Sequence, residues 1–392
     1  MIIYTRNAST PHVINVLPIA LKYFKELDEC QFESDDIFYY DRHDLAIRNI
    51  EFSSFIYQRH WEHVKNNPNT KILINFSDDY LNIVDIERIS RVLKNKNINP
   101  NQIFFLTMDD NFKDFVVNEF NKRELIGVNV QPYNILLKNI KFNKQYESKS
   151  EYKFSLLSRN YFPWRLSILL GLLKNDVLKY FNYSFHNFVP YAGENGKIIS
   201  LDIVKTDAVN EGHTIDSLTD EWINNIPYDL GNRESKWSDV TYNAISSSDF
   251  HLLIESHYDA FLFKNFDHFR KSYKIEDFSP AFPTEKTWKA IFCKKPFIVA
   301  AAPYFLKDLK KMGFKSFSPF IDESYDNEED NNTRIKMIVN ESTRICNLPI
   351  DEYSEVIKGC TEIVEHNYNV LKELHNNIKF TNNFDWLNNL KK

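Results

Sequence analysis

Apolar residues in this chain gather in short continuous runs, and longer stretches of helical spacing separate those runs. Lys71-Ile-Leu-Ile-Asn75, Ile103-Phe-Phe-Leu-Thr107, Phe154-Ser-Leu-Leu157, Phe250-His-Leu-Leu-Ile-Glu255 and Phe297-Ile-Val-Ala300 read as strands buried on both faces. Ile2–Tyr4, Ile37–Tyr40 and Tyr183–Phe185 are shorter strand candidates. Apolar positions recurring every three or four residues predict helices over Val13–Phe24, Ser54–Lys65, Ile86–Leu93, Phe112–Phe120, Trp164–Leu173, Thr284–Phe292 and Tyr304–Met312, the last ended by Gly313. Amphipathic helices over Thr333–Val339, Tyr353–His375 and Phe384–Leu390 close the chain, with a break expected near Gly359. This alternation predicts an α/β fold, a mostly parallel sheet flanked by helices, in each half of the chain. The pattern over residues 190–248 fits neither period.

A chain of 392 residues exceeds one ordinary core and suits two domains. The expected division is residues 1–145, then residues 146–350, then a helical tail over residues 351–392 that packs back across the domains. With 43% apolar and 26% charged residues, the composition is that of a globular protein rather than a disordered one. A net charge of -6 argues against a protein that grips long nucleic acid by its backbone, although lysines 307, 310 and 311 could form a local basic face. Cys30, Cys293, Cys346 and Cys360 have no C-x-x-C spacing, so neither a zinc site nor a disulfide scaffold is expected and a reducing cytoplasm is the default. No run of 18 apolar residues predicts a membrane span.

The residues with chemical potential cluster after predicted strands, where ligands of parallel sheets bind. Pro283-Thr-Glu-Lys-Thr-Trp-Lys-Ala-Ile291 places Thr284, Glu285 and Lys286 at a helix start, where unpaired amides favour negative charge. Thr284 is a candidate cap, Glu285 could accept two ribose hydroxyls, and Lys286 could offset phosphate. Ser158-Arg159-Asn160 with Arg165 puts two guanidinium groups at a strand-to-helix junction, suited to a diphosphate or to surface ion pairs. Glu255-Ser-His257 follows another strand and could meet a ligand hydroxyl, phosphate or sugar, or serve as a turn. Asp78-Asp79 and Asp109-Asp110 end two early strands, and one of Asp78 and Asp109 is the expected general base. His43, His60 and His63 are alternative bases, but His60 and His63 have no third ligand nearby, and no metal is expected. Walker A, dinucleotide Gly-x-Gly-x-x-Gly and Gly-x-Ser-x-Gly patterns are absent from the sequence.

Over residues 152–310 these segments resemble the donor-binding half of α1,3-fucosyltransferase-like glycosyltransferases. The resemblance rests on Phe154-Ser-Leu-Leu-Ser-Arg-Asn-Tyr-Phe-Pro-Trp-Arg165, on Ile254-Glu255, on Phe282-Pro-Thr-Glu-Lys286 and on Pro296-Phe-Ile-Val299. Arg159-Asn160 reverses the family's Asn-Arg order, Pro283 replaces its Val, and Ala300-Ala-Ala302 replaces its glycine-rich turn, so fucose is not implied. The segment over residues 313–330 also resembles uncharacterised proteins of large phages and environmental bacteria.

The resemblance implies a GT-B fold, two Rossmann-like domains facing a cleft, and a metal-independent, inverting transfer from a nucleotide diphosphate sugar, GDP- or UDP-linked. Nothing need be permanently bound. Donor-binding residues would be Arg159, Asn160, Arg165, Glu255, His257, Thr284, Glu285 and Lys286. The acceptor would be a glycan or lipid-linked saccharide. DNA carrying hydroxylated bases is the acceptor disfavoured by the net charge, and a non-catalytic nucleotide-sugar-binding protein is the other alternative.

Overall fold

A computed structural model describes residues 3–5, 24–26, 37–41, 58–75, 83–107, 110–132, 140, 142, 146, 149–189, 197–230, 239–256, 258 and 283–381. These form a mixed α/β chain with two parallel sheets and eleven α-helices. The chain divides into two compact units: residues 1–139, 277–282 and 375–392, and residues 140–276 and 283–374. Residues 351–374 fall in the second unit and residues 375–392 in the first.

The first unit holds a six-stranded sheet in the order β2-β1-β3-β4-β5-β6, with every pairing parallel. Its strands are β1 (Ile3–Thr5), β2 (Phe24–Glu26), β3 (Ile37–Asp41), β4 (Lys71–Asn75), β5 (Ile103–Thr107) and β6 (Asn129–Pro132). Helices α1 (Gln58–Asn66), α2 (Ile83–Lys96) and α3 (Asp110–Lys122) bury one stripe each: Trp61 and Val64, then Ile86, Ile89 and Leu93, then Val116 and Phe120. These pack with Phe38, Tyr40, Ile72, Ile74 and Phe105 into one core. His60 is buried against that core. Its ring stacks on Phe38 at 4.3 Å and its Nδ1 lies 2.5 Å from the Tyr40 hydroxyl. Gln102 donates to the Val64, Asn67 and Thr70 carbonyls and so pins the loop that enters β4. The predicted helix over Val13–Phe24 overlaps β2 at Phe24, and its other residues lie outside those described.

The second unit is built on β7 (Tyr152–Ser158), β8 (Phe181–Phe185), β11 (Ser248–Ile254) and β12 (Phe297–Ala300), all parallel in the order β12-β11-β7-β8. Stacked rings of Phe154 on Phe181 and on Phe250 tie the three neighbouring strands together. Helix α4 (Pro163–Lys174) links β7 to β8 and is apolar on most sides, with Leu166, Ile168, Leu169, Leu170 and Leu172 buried. The stretch over residues 190–248, unreadable from periodicity, holds β10 (Lys197–Ile198), which pairs antiparallel with β9 (Phe188–Val189) just ahead of it, then α5 (Leu201–Asn210), α6 (Ser217–Asn224) and α7 (Asp239–Ser246). Ser200 and Asp216 cap α5 and α6 with side-chain oxygens. Tyr228 exchanges two backbone hydrogen bonds with Phe185 on the outer side of β8.

Helix α8 (Glu285–Phe292) leads into β12, and α9 (Phe305–Lys311), α10 (Asn331–Cys346) and α11 (Ile350–Thr381) follow. Gly313 ends α9 with φ 94°, a left-handed geometry that favours glycine. Helix α11 runs 32 residues without the break expected at Gly359. Glycine is there for space: a Cβ would sit 2.2 Å from Cε1 of Phe320.

Candidate functional site

Strand order locates the site before any side chain is considered. From β7 the chain moves through α4 to β8 on one side, then returns as β11 on the other side of β7. Such a reversal opens a crevice beyond the carboxyl ends of the two central strands. Here those ends carry Ser158, Arg159 and Asn160 on β7, and Glu255 and Ser256 on β11.

Arg165 sits at the crossing. It is 2% exposed, its Nη1 donates to the Asn160 carbonyl at 3.0 Å, and its Nη2 donates to the Glu255 carbonyl at 3.0 Å. The guanidinium also lies over the Phe162 and Trp164 rings, at 4.8 and 5.0 Å. Burial lowers its pKa to about 10 against the opposing pull of Glu255 and Glu285, so the group is charged at neutral pH. Its Nε is buried without a hydrogen-bond partner. The sequence suggested a direct clamp on diphosphate. The geometry makes Arg165 a tie between two loops, with its Nε unbonded. Arg159, by contrast, is exposed at the strand end.

Glu255 is the hub of the other half. It is 1% exposed. Its Oε1 accepts from the Thr284 amide at 2.9 Å and from the Thr287 hydroxyl; its Oε2 accepts from the Thr284 hydroxyl at 2.5 Å and the Ser256 amide at 3.1 Å. The positive end of α8, expected to receive a ligand's negative charge, therefore already holds a protein carboxylate. Thr284 caps the helix as expected, with its hydroxyl accepting from the Lys286 amide at 3.3 Å. Lys286 reaches back over this cap: its Nζ donates to Ser256 Oγ at 2.7 Å and to Thr284 Oγ1 at 3.3 Å, and lies 3.9 Å from Glu255 and 3.8 Å from Glu285. The Glu285 side chain is mostly buried beside it, at 11% exposure.

Asn160, Arg165, Glu255, Thr284, Glu285 and Lys286 are thus connected at the switch point, and Arg159 adjoins Asn160 in the chain. His257, Asp78 and Asp109 lie outside the described residues. Ser256 and Thr287 were not picked out by sequence reasoning. Thr284-x-x-Thr287 is not a capping box in the usual sense, and its meaning depends on a carboxylate from another strand. Two further residues were missed. Tyr258 stacks on Trp164 at 4.4 Å and 14°, and the Arg334 guanidinium covers the Tyr258 ring at 4.3 Å. Beneath the site, His251 Nδ1 lies 2.9 Å from Ser155 Oγ, and burial lowers the pKa of the imidazole to about 3, which keeps it neutral.

Among the described residues no group of three or more His, Cys, Asp or Glu side chains is arranged to hold a metal ion. No described helix is long and apolar enough to cross a membrane. Cys293, Cys346 and Cys360 are free thiols. No protein-family model and no curated protein matches the sequence.

Proposed function

We propose that this chain is a glycosyltransferase of GT-B arrangement that moves a sugar from a nucleoside diphosphate sugar to an acceptor hydroxyl. One observation carries the reading. Residues from three separated segments, Arg159 to Arg165, Glu255 to Ser256 and Thr284 to Lys286, are bonded together at the switch point of a parallel sheet, and they bring Arg159, Arg165 and Lys286 to one place. Cations gathered in this way suit a diphosphate.

In the reaction, the acceptor oxygen attacks the anomeric carbon with inversion. The bond from that carbon to the diphosphate oxygen breaks, and its electron pair leaves with the nucleoside diphosphate. The acceptor proton passes to a carboxylate, for which Asp78 and Asp109 are the candidates from sequence. Arg159 and Lys286 would stabilise the charge growing on the leaving diphosphate, and Arg165 would add its charge from below. Glu285 would orient ribose or sugar hydroxyls, and Thr284 with Glu255 would hold Lys286 in place. A glycan or lipid-linked saccharide is the acceptor class in this reading.

A thermal-shift screen against GDP-, UDP-, CMP- and dTDP-sugars tests it, because a donor that binds the folded state raises the melting temperature. One donor class is expected to do so, and Lys286→Ala is expected to cost about tenfold or more in donor affinity. Donor binding without transfer to any hydroxyl acceptor would support a nucleotide-sugar-binding protein instead. No shift with any donor refutes both.

A further inference from the structure

Four side chains form a continuous stack beneath the carboxyl ends of the second unit's strands. The Arg165 guanidinium lies 5.0 Å from the Trp164 ring, Trp164 stacks on Tyr258 at 4.4 Å, and the Arg334 guanidinium caps Tyr258 at 4.3 Å. Each end of the stack is fastened to strand-end backbone. Arg165 donates to the carbonyls of Asn160 and Glu255. Arg334 is 1% exposed and donates from Nε to the Ala301 carbonyl at 3.2 Å, from Nη2 to the Tyr258 carbonyl at 2.7 Å and from Nη1 to the Glu328 carbonyl at 2.7 Å. The Tyr258 hydroxyl adds a bond to the Asn331 carbonyl at 2.9 Å. The stack therefore spans the ends of β7, β11 and β12 and the start of α10.

Stability alone does not call for this arrangement. Two guanidinium groups have been taken out of water, and apolar packing of the same volume serves stability as well or better. A planar cation that both stacks and donates in several fixed directions holds an aromatic ring in one orientation, which lysine or leucine cannot do. We infer that Arg334 is a positioning residue for the switch-point site: through Tyr258 and Trp164 it sets Arg165, and with it the loop carrying Arg159 and Asn160. Arg334 itself lies on α10, bonded to the end of β12, and its effect on that loop travels through stacked rings. The ligand, a nucleoside diphosphate, is taken from the proposed function; the mechanical linkage is independent of it.

Amide hydrogen exchange on the full chain tests the linkage directly. Arg334→Lys and Tyr258→Leu are expected to speed exchange over residues 159–166 about tenfold, a local opening effect. Tyr258→Phe keeps the ring and is expected to leave those amides unchanged. Ile345→Val, a core change on the same helix away from the stack, controls for general destabilisation. Should Arg334→Lys fail to fold, the contrast between Tyr258→Leu and Tyr258→Phe answers the same question. Faster exchange confined to the surroundings of Tyr258, Ala301 and Asn331 would overturn the inference and leave Arg334 a local staple. In parallel, GDP and UDP affinities are expected to fall about tenfold in Arg334→Lys and Tyr258→Leu but not in Tyr258→Phe. Wild-type protein that binds neither nucleotide, with the exchange pattern intact, would refute the nucleotide reading while supporting the linkage.

Discussion

Replacing Glu255 by glutamine changes one atom and tests how the loop before α8 is held. Each carboxylate oxygen faces a backbone amide as well as a hydroxyl: Oε1 the Thr284 amide, and Oε2 the Ser256 amide. Hydroxyls can rotate to accept, but amides cannot. Whichever way the glutamine amide is turned, its NH2 group meets a backbone N–H, donor against donor. The substitution also removes the negative charge that lies 3.9 Å from Lys286 and opposes the buried charge of Arg165. An unsatisfied buried amide costs about 1–3 kcal/mol, and an uncompensated buried charge adds to that. The expected loss is about 3 kcal/mol, or roughly 6–12 °C in melting temperature for a unit of this size. Thr287→Val, which removes a single hydroxyl donor, should cost only about 1 kcal/mol. Urea unfolding followed by intrinsic fluorescence reads both, since Trp288 is buried in α8 at 0% exposure. Glu255→Gln within 0.5 kcal/mol of wild type, at unchanged m-value, would refute the reasoning.

Other expectations follow from neighbouring features. His251 is neutral in the folded unit down to about pH 3, whereas an unfolded imidazole gains its proton near pH 6.5. Its depressed pKa gives stability that is full above pH 6.5 and is lost as pH falls toward 3, at about 1.4 kcal/mol per pH unit. His251→Leu should flatten the dependence of unfolding free energy on pH between 4 and 6 by about that slope; an unchanged slope would show that His251 takes up no proton on unfolding. Gly359→Ala should destabilise by about 1–2 kcal/mol because its Cβ meets the Phe320 ring. In a Phe320→Ala background the same change should instead stabilise by about 1 kcal/mol through helix propensity, and equal effects in both backgrounds would refute the steric account. Arg159→Ala, at an exposed position, should leave urea stability within about 0.5 kcal/mol of wild type. Under the proposed function it should nevertheless weaken donor binding, as titration calorimetry would show.

The interior of the fold was legible because buried parallel strands carry uninterrupted apolar runs. The run Phe297–Ala300 coincides with β12, and Ile103–Thr107 with β5. Strands β2 and β6 are the two margins of the first sheet, and neither Phe-Lys-Glu, whose Phe24 closes a stretch of helical spacing, nor Asn-Val-Gln-Pro carries an apolar run. Edge positions tolerate charge and proline where central ones do not, so their sequences lose the strand signature. The continuity of α11 through Gly359 was hidden for a related reason: a glycine chosen for a neighbour's bulk looks the same as one chosen to end a helix. At the site, the charged residues were visible but their bonding was not. Arg165 and the Glu255 carbonyl it binds are 90 positions apart, and no local pattern reveals that a carboxylate already occupies the start of α8.

The placement of β11 beside β7 has a consequence for biogenesis. Made from the N-terminus, the chain can pair β7 with β8 early, leaving the other margin of β7 bare until β11 and everything between has been synthesised. Closing so long a loop is slow, although each added residue raises its entropic cost only slightly. The two halves of the proposed rim then meet once β11 has paired with β7, with the β11–β12 pairing still to follow, and a nascent or truncated chain that ends before β11 has none of the rim's second half. Under the proposed function, ligand binding would in that case report that β11 and the start of α8 have joined β7, ahead of the helices that close this unit.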